Sequence, residues 1–270
     1  RMYSREPSHV EAYKQWGGIR GRNVQVTDAD GENKTIQIPT FGENLTYFFR
    51  YQVGYMYFRY FMWNVSGRQN DIQGQGEITN GNWITGINFI DSHRLGDQSK
   101  IPHEFKTNRG RNAYYMLPLI LGLIGIIFMY NHSIQGRRDL WTVFLLFFMT
   151  GLAIVLYLNQ SPLQPRERDY AYAGSFYAFT IWIGIGVLGV YEFLKRFMPE
   201  KTGATVAAVA SLLAVPVIMG AQNWDDHDRS GRYTCRDFGA NYLKTCQPDG
   251  VIFTNGDNDT FPLWYIQDVE

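Results

Sequence analysis

The feature that most constrains this chain is the segregation of its apolar residues. Four runs, Ala113–Tyr130, Leu140–Leu158, Ala173–Leu194 and Ala204–Ala221, follow one another with short polar connections. Each approaches the ~20 residues that a helix needs to cross about 30 Å of hydrocarbon. Ionisable side chains are almost absent from them, and Glu192 stands at an end. Buried helices of water-soluble proteins are usually shorter and amphipathic. Chain-wide averages point the other way, with a mean hydropathy of −0.25, 19% charged residues and zero net charge. Averages mislead where apolar residues are clustered. The pattern predicts an α-helical integral membrane bundle of four spans.

The runs also carry the small residues that let bilayer helices approach closely. Gly184, Gly186 and Gly189 fall in one, and Ala204/Ala208 and Ala207/Ser211 are small-xxx-small pairs in another. Pro118 and Pro216 read as lying near span ends, where proline is tolerated. An even number of spans places residues 1–110, the 159–172 loop and everything after 222 on one side. The positive-inside count leaves open which side that is. Arg137, Arg138, Lys195, Arg196 and Lys201 lie on one face, and Lys106, Arg109, Arg111, Arg166, Arg168, Arg229 and Arg232 on the other.

Three regions follow: 1–110, 111–222 and 223–270. In the first, "NVQVTDADGENKTIQI" alternates Val24/Val26 and Ile36/Ile38 around an Asp/Gly-rich turn, a hairpin pattern. Asp28, Asp30 and Glu32 hint at a calcium loop, although the glycine is misplaced for an EF-hand. Residues 44–64 form an aromatic helix carrying Arg50 and Arg59. We expect it to lie in the membrane interface with both arginines reaching phosphates or water, rather than to be an aromatic core helix. The glycine-rich stretch after it has no Walker or Rossmann pattern. The last region reads as the start of a soluble α/β domain, with a strand at Val251–Thr254 and a turn at Asn255–Asp259. A helix capped by Asp259 or Thr260 follows, with Pro262 in its first turn. Cys235 and Cys246 are ~16 Å apart on a continuous helix, too far for a disulfide unless Gly239 breaks it. With Arg1 in a polar stretch and Glu270 in an opening helix, the chain reads as an internal portion of a larger protein.

Three polar clusters could carry chemistry. Arg166-Glu167-Arg168-Asp169 ends a span, and arginine's planar fork matches phosphate oxygens. Self-paired salt bridges are the alternative. Asp225, Asp226, His227 and Asp228, with Arg229 and Arg232 beside them, could supply a base or hold a divalent metal. They fit no zinc pattern, and a solvated capping loop explains them equally. Asp257 and Asp259 stand at the carboxyl end of the expected strand, where open α/β sheets place ligands, although such residues also make turns.

Several longer motifs carry a resemblance: "YQVGYMYFRYFMWNVSGRQNDIQG", "GNWITGI", "QPRERDYAYAGSFYAFTIWIGIG", "DDHDRSGRYTCRDF" and "FTNGDNDTFPLWYIQDVE". They resemble a family of large bacterial multi-pass proteins, long filed as a domain of unknown function. That family is grouped with protein O-mannosyltransferase-like enzymes, glycosyltransferase family 117. The resemblance implies a glycosyltransferase-C fold in the bacterial inner membrane, with the polar segments periplasmic. It implies a polyprenyl-phosphate-linked sugar as donor and a Ser or Thr hydroxyl of an exported protein as acceptor. Membrane lipids would be its other partners, and no nucleic acid is expected. The substrate-binding residues would be Arg166, Glu167, Arg168, Asp169, Arg229, Arg232, Asp257 and Asp259. The family's catalytic acid follows its first span, upstream of Ala113, and has no counterpart here. The rival expectation is a non-enzymatic membrane scaffold or a component of an envelope or secretion complex.

Overall fold

The alternating residues of the first region do form a hairpin in the computed structural model, which describes residues 6–27, 31 and 33–270. Helix α1 (Pro7–Gly17) precedes it. Strand β1 (Arg22–Thr27) then pairs antiparallel with β2 (Asn33–Ile38), Val24 opposite Ile36. Asp28, Asp30 and Glu32, the calcium-loop candidates, lie outside the described residues. Helix α2 (Phe41–Tyr47) opens on a capping box between Thr40 and Glu43. Backbone N–H groups of Thr40, Arg20 and Gly21 all donate to the Glu43 carboxylate, holding its pKa at about 2 and tying α2 to the hairpin.

Helix α2 continues through a π-helical stretch, Phe48–Phe58, into α3 (Arg59–Val65). This is the segment expected at the membrane interface with Arg50 and Arg59 reaching outward; Arg50 is exposed, and the structure corrects the rest of that expectation. Tyr51, Tyr60 and Trp63 are core residues and Arg59 is 3% exposed, so Arg59 reaches neither lipid phosphate nor water. The alternative aromatic core helix describes residues 51–65. Only Phe41, Leu45, Phe49 and Phe58 remain as exposed large apolar side chains on this helix.

After it, β3 (Gly67–Arg68) pairs with β4 (Asn112–Ala113), and short helices α4 (Asn88–Leu95) and α5 (His103–Lys106) lie between them. Amide side chains organise the glycine-rich loop. Fully buried Asn70 accepts from the Gly81 N–H and donates to the Thr79 carbonyl, both at 2.8 Å.

The bundle comprises α6 (Leu117–His132), α7 (Ile134–Met149), α8 (Leu152–Leu158), α9 (Ala173–Leu194), α10 (Glu200–Leu212) and α11 (Ile218–His227). Among the described residues, three stretches are long and apolar enough to cross a membrane: Ile134–Leu158, Asp169–Leu194 and Glu200–His227. The fourth expected span is shorter, since α6 has 16 residues and a length of about 24 Å. Its ends explain this: Tyr115 and Met116 take left-handed backbone angles just before it, and Ser133 caps α7 immediately after it.

Helices α6 and α9 run side by side and parallel. Gly122 meets Phe179, Gly125 meets Trp182 and Gly189 meets Phe128, in the same order along both. A Cβ on Gly125 would fall 2.0 Å from the Trp182 carbonyl oxygen, and one on Gly186 2.1 Å from that of Leu121. The two backbones touch, which is the close approach that small residues permit. Gly184 faces open space instead. In α10 the buried stripe is Gly203, Ala207 and Ser211, so Ala207/Ser211 is at the interface while Ala204/Ala208 points outward. Pro216 is not near a span end, because the helix runs on to His227. A π-helical turn, Leu213–Val217, accommodates its ring and missing donor.

Both ends of the bundle sequence meet. Asn112 Nδ2 donates to Asn223 Oδ1 at 3.0 Å, Asn223 Nδ2 donates to the Tyr114 hydroxyl at 2.7 Å, and the Ala113 N–H donates to Gln222 Oε1. The start of α6 and the end of α11 therefore share one end of the bundle.

The chain divides into two compact units, Arg1–Asp226 and His227–Glu270. In the second, α12 (Thr234–Lys244) packs on α13 (Asp257–Asp268), with buried Gly239 against the Pro262 carbonyl. The expected strand Val251–Thr254 is not formed. Val251 and Phe253 are highly exposed, and among the described residues no neighbouring strand offers the ladder that a strand requires. Gly256, rather than Asp259 or Thr260, holds the N-cap position of α13, and Pro262 lies inside the helix. Helix α12 is unbroken at Gly239, and Cys235 and Cys246 are free.

Two experiments check this architecture. Gly125→Leu should lower stability by about 1–3 kcal/mol or more through overpacking, whereas Gly184→Leu should leave thermal unfolding unchanged. In a chain with Cys235 and Cys246 replaced by serine, single cysteines at Asp97 and Arg166 should be labelled from one side of the membrane. A cysteine at Lys201 should be labelled from the other.

Candidate functional site

The charged segment at 166–169 sits between the end of α8 and the start of the Asp169–Leu194 stretch. The long aromatic helix holds it in place from one side. The hydroxyls of Tyr47 and Tyr51 donate to the carbonyls of Gln160 and Ser161, each at 2.9 Å. Gln52 Nε2 donates to the Gln160 carbonyl at 3.0 Å, and Gln73 Nε2 to that of Gln164 at 2.6 Å. Such side-chain donors replace the ladder bonds that a loop backbone lacks.

At the centre is an ion pair. Arg59 Nη2 lies 2.8 Å from Glu167 Oε2, with the two side chains 4% and 22% exposed. Arg59 also donates from Nη1 to the Gly81 carbonyl at 2.7 Å and from Nε to the Tyr55 carbonyl at 3.1 Å. The rings of Tyr55, Tyr60 and Trp63 surround its guanidinium at 4.0, 4.4 and 4.7 Å. The Tyr60 hydroxyl donates to Glu167 and accepts from the Arg168 N–H. Burial pushes that hydroxyl far above its usual pKa, so it stays a donor.

Glu167 therefore has a role that the sequence did not indicate. The alternative reading pairs it with its neighbouring arginines, and it is committed to Arg59 instead. Arg166 is exposed, 5.7 Å from the Tyr170 ring. Arg168 is half-buried, and its Nε is buried with no hydrogen-bond partner among the described residues. Asp169 begins a short 3-10 turn, Asp169–Tyr172. A cavity of about 660 Å3 adjoins the other end of the same loop, where Asn159, Leu156, Gln52, Phe48 and Asn44 line it.

Asp225, Asp226 and His227 form the last turn of α11 rather than a loop, because the helix extends past the apolar run. Asp228 accepts from the Ser230 N–H at 2.8 Å in the turn that follows. Among the described residues no group of three or more His, Cys, Asp or Glu side chains could hold a metal ion. Arg229 and Arg232 belong to the second unit and are exposed. Asp257 and Asp259 occupy the first turn of α13, where acids complement the helix dipole. Asp259 also lines a cavity of about 150 Å3 with Phe238, Tyr242 and Leu263.

Sequence reasoning missed Arg59 as the partner of Glu167. The available signal was an arginine within an aromatic helix, which demands a buried counter-charge if the helix is core.

Residues 235–270 match the family profile described as TMEM260-associated domain 2, and residues 1–49 match that of a family of unknown function (DUF8416). No curated protein and no solved structure matches the chain.

Breaking the buried pair has a clear expected cost. Glu167→Gln should destabilise the protein by about 3–5 kcal/mol, the scale for a buried charge left unpaired. Asp169→Asn should stay close to the parent in a denaturant melt. The double change Arg59→Met with Glu167→Leu should recover part of the loss.

Proposed function

We propose that this chain is the part of a membrane glycosyltransferase that meets the phosphate of a lipid-linked sugar donor. The observation that carries the reading is the position of Arg166 and Arg168 at the junction of two apolar stretches, on a loop fixed by Arg59–Glu167. A polyprenyl tail stays in hydrocarbon while its phosphate rests at the interface, so a binding group must sit at that depth. Arginine stays ionised there and offers a fork that fits phosphate. The Nε of Arg168, buried without a partner among the described residues, is a donor that such an oxyanion would satisfy once the side chain turns toward it.

The reaction rests on the resemblance described above: transfer of the sugar to a Ser or Thr hydroxyl of an exported protein, at the periplasmic face of a bacterial inner membrane. By the same resemblance the catalytic carboxylate would lie outside this chain; among the described residues, Glu167 is committed to Arg59 and buried Asp91 accepts from Thr85 and Gly86. The cavity beside Asn159 has room for a sugar ring. A scaffold reading draws on the same commitment of Glu167, a purely structural use of an acid in the cluster.

Mass spectrometry of the intact protein extracted from its membrane separates the two readings, because a co-purifying sugar-phosphate lipid is expected only of the enzyme. In that protein Arg168→Lys should weaken donor binding by about 1.5–3 kcal/mol, the scale of a charged hydrogen bond, with thermal stability unchanged. Loss of stability with donor affinity intact would instead make the cluster structural.

A further inference from the structure

The opposite end of the bundle carries a different chemistry. There a cavity of about 460 Å3 opens between the last turns of α6 and α9. Ile124, Phe128 and Phe193 form its apolar walls, and Gly189 contributes bare backbone. Its mouth is polar, with His132, Glu192 and Arg196.

The charges at this end do not balance. Arg137, Arg138, Lys195, Arg196 and Lys201 face Asp139, Glu192 and Glu200, an excess of two positive charges. Each of these acids is already engaged. Glu192 pairs with Lys195 at 2.6 Å, Asp139 accepts from Gln135 Nε2 at 2.8 Å, and Glu200 accepts from the Tyr191 hydroxyl at 3.1 Å. Arg137, Arg138, Arg196 and Lys201 make no carboxylate ion pair among the described residues. Helix dipoles do not offset this excess. The C-terminus of α6 abuts the N-terminus of α7, and that of α9 lies a short turn from α10, so opposite partial charges largely cancel.

We propose that this groove binds an acidic phospholipid. Its acyl chain lies along Ile124, Phe128 and Phe193, and its phosphate meets the Arg196 guanidinium at the mouth. An apolar channel between two apolar helices, opening on unpaired cations, complements an acyl chain joined to a phosphate. Arg196 is the groove residue with the free charge, since Lys195 is held by Glu192. The proposal depends on the membrane placement of the bundle and stands apart from the transferase reading.

The test uses the full chain in nanodiscs of phosphatidylcholine with or without phosphatidylglycerol, followed by native mass spectrometry of retained lipid. Phosphatidylglycerol should be retained over phosphatidylcholine, and excess inorganic phosphate should not displace it. Arg196→Gln should lower its retention at least about tenfold, the scale of a charge-assisted hydrogen bond. Arg138→Gln, outside the groove, should lower it by about fivefold or less, as general surface attraction does. A thermal melt verifies that both variants fold, and Arg196→Lys, which keeps charge but not the fork, should give intermediate retention. Equal retention of the two lipids would overturn the proposal. So would equal effects of the Arg138 and Arg196 changes, or displacement by free phosphate.

Discussion

The buried contact between Arg59 and Glu167 joins three segments that are distant in sequence. The guanidinium takes a carbonyl from its own helix, a carbonyl at Gly81 in the glycine-rich loop and a carboxylate from the 159–168 connection. An arginine this deep is tolerated only when most of its donors are met and its charge is opposed. Removing Arg59 leaves all three segments without their common anchor, and removing Glu167 leaves the guanidinium charge unopposed. The pair is thus less a gain in stability than a constraint on arrangement. Apolar residues of similar volume could hold the same segments together, but without fixing their register.

What Arg59 fixes would have no defined position without the bundle beneath it. The bare-backbone contact between Gly125 and Gly186 sets how close α6 and α9 lie, and therefore where α9 presents its first turn. The Tyr57 hydroxyl reaches Ser175 Oγ at 2.7 Å, which connects the aromatic helix directly to that turn. At the same end the Asn112, Tyr114 and Asn223 side chains close the first and last helices on each other. Close packing in the apolar layer and amide hydrogen bonds above it act in series, each defining the geometry that the other requires.

Much of this was legible in the sequence, for physical reasons that differ by element. The hairpin was legible because period-two alternation with Val24 opposite Ile36 has few alternatives. The glycines of α9 announced close packing because bare backbone in an apolar helix otherwise costs propensity for no return. Composition could not give the true length of α6, which depends on left-handed angles at Tyr115 and Met116. Nor could it show that the aromatic helix turns inward, because tyrosine and tryptophan suit both a membrane interface and a core. The strand at 251–254 failed for another reason: Val251 and Phe253 have strand-like residue types, but a strand exists only with a neighbour. In the candidate site the sequence located the cluster and misassigned its pairing. Adjacent opposite charges invite a local reading, and the true partner of Glu167 lies 108 residues away.

That distant partner bears on how the loop could bind anything. A flexible loop that closes on a ligand loses conformational freedom at that moment, and the cost is subtracted from affinity. Here the carbonyls of Gln160, Ser161 and Gln164 are held by side chains of the aromatic helix and the loop after it, and Glu167 is drawn inward. The ordering has therefore been done in folding. Arg166 and Arg168 flank an inward-facing acid on an anchored backbone, so the points from which their side chains extend are set before any ligand arrives. Mobile lysines on the same loop would supply equal charge with no fixed spacing. Under the proposed reading, two arginine forks rooted on such a backbone would discriminate by shape as well as by charge, which would separate a phosphate from a chloride ion.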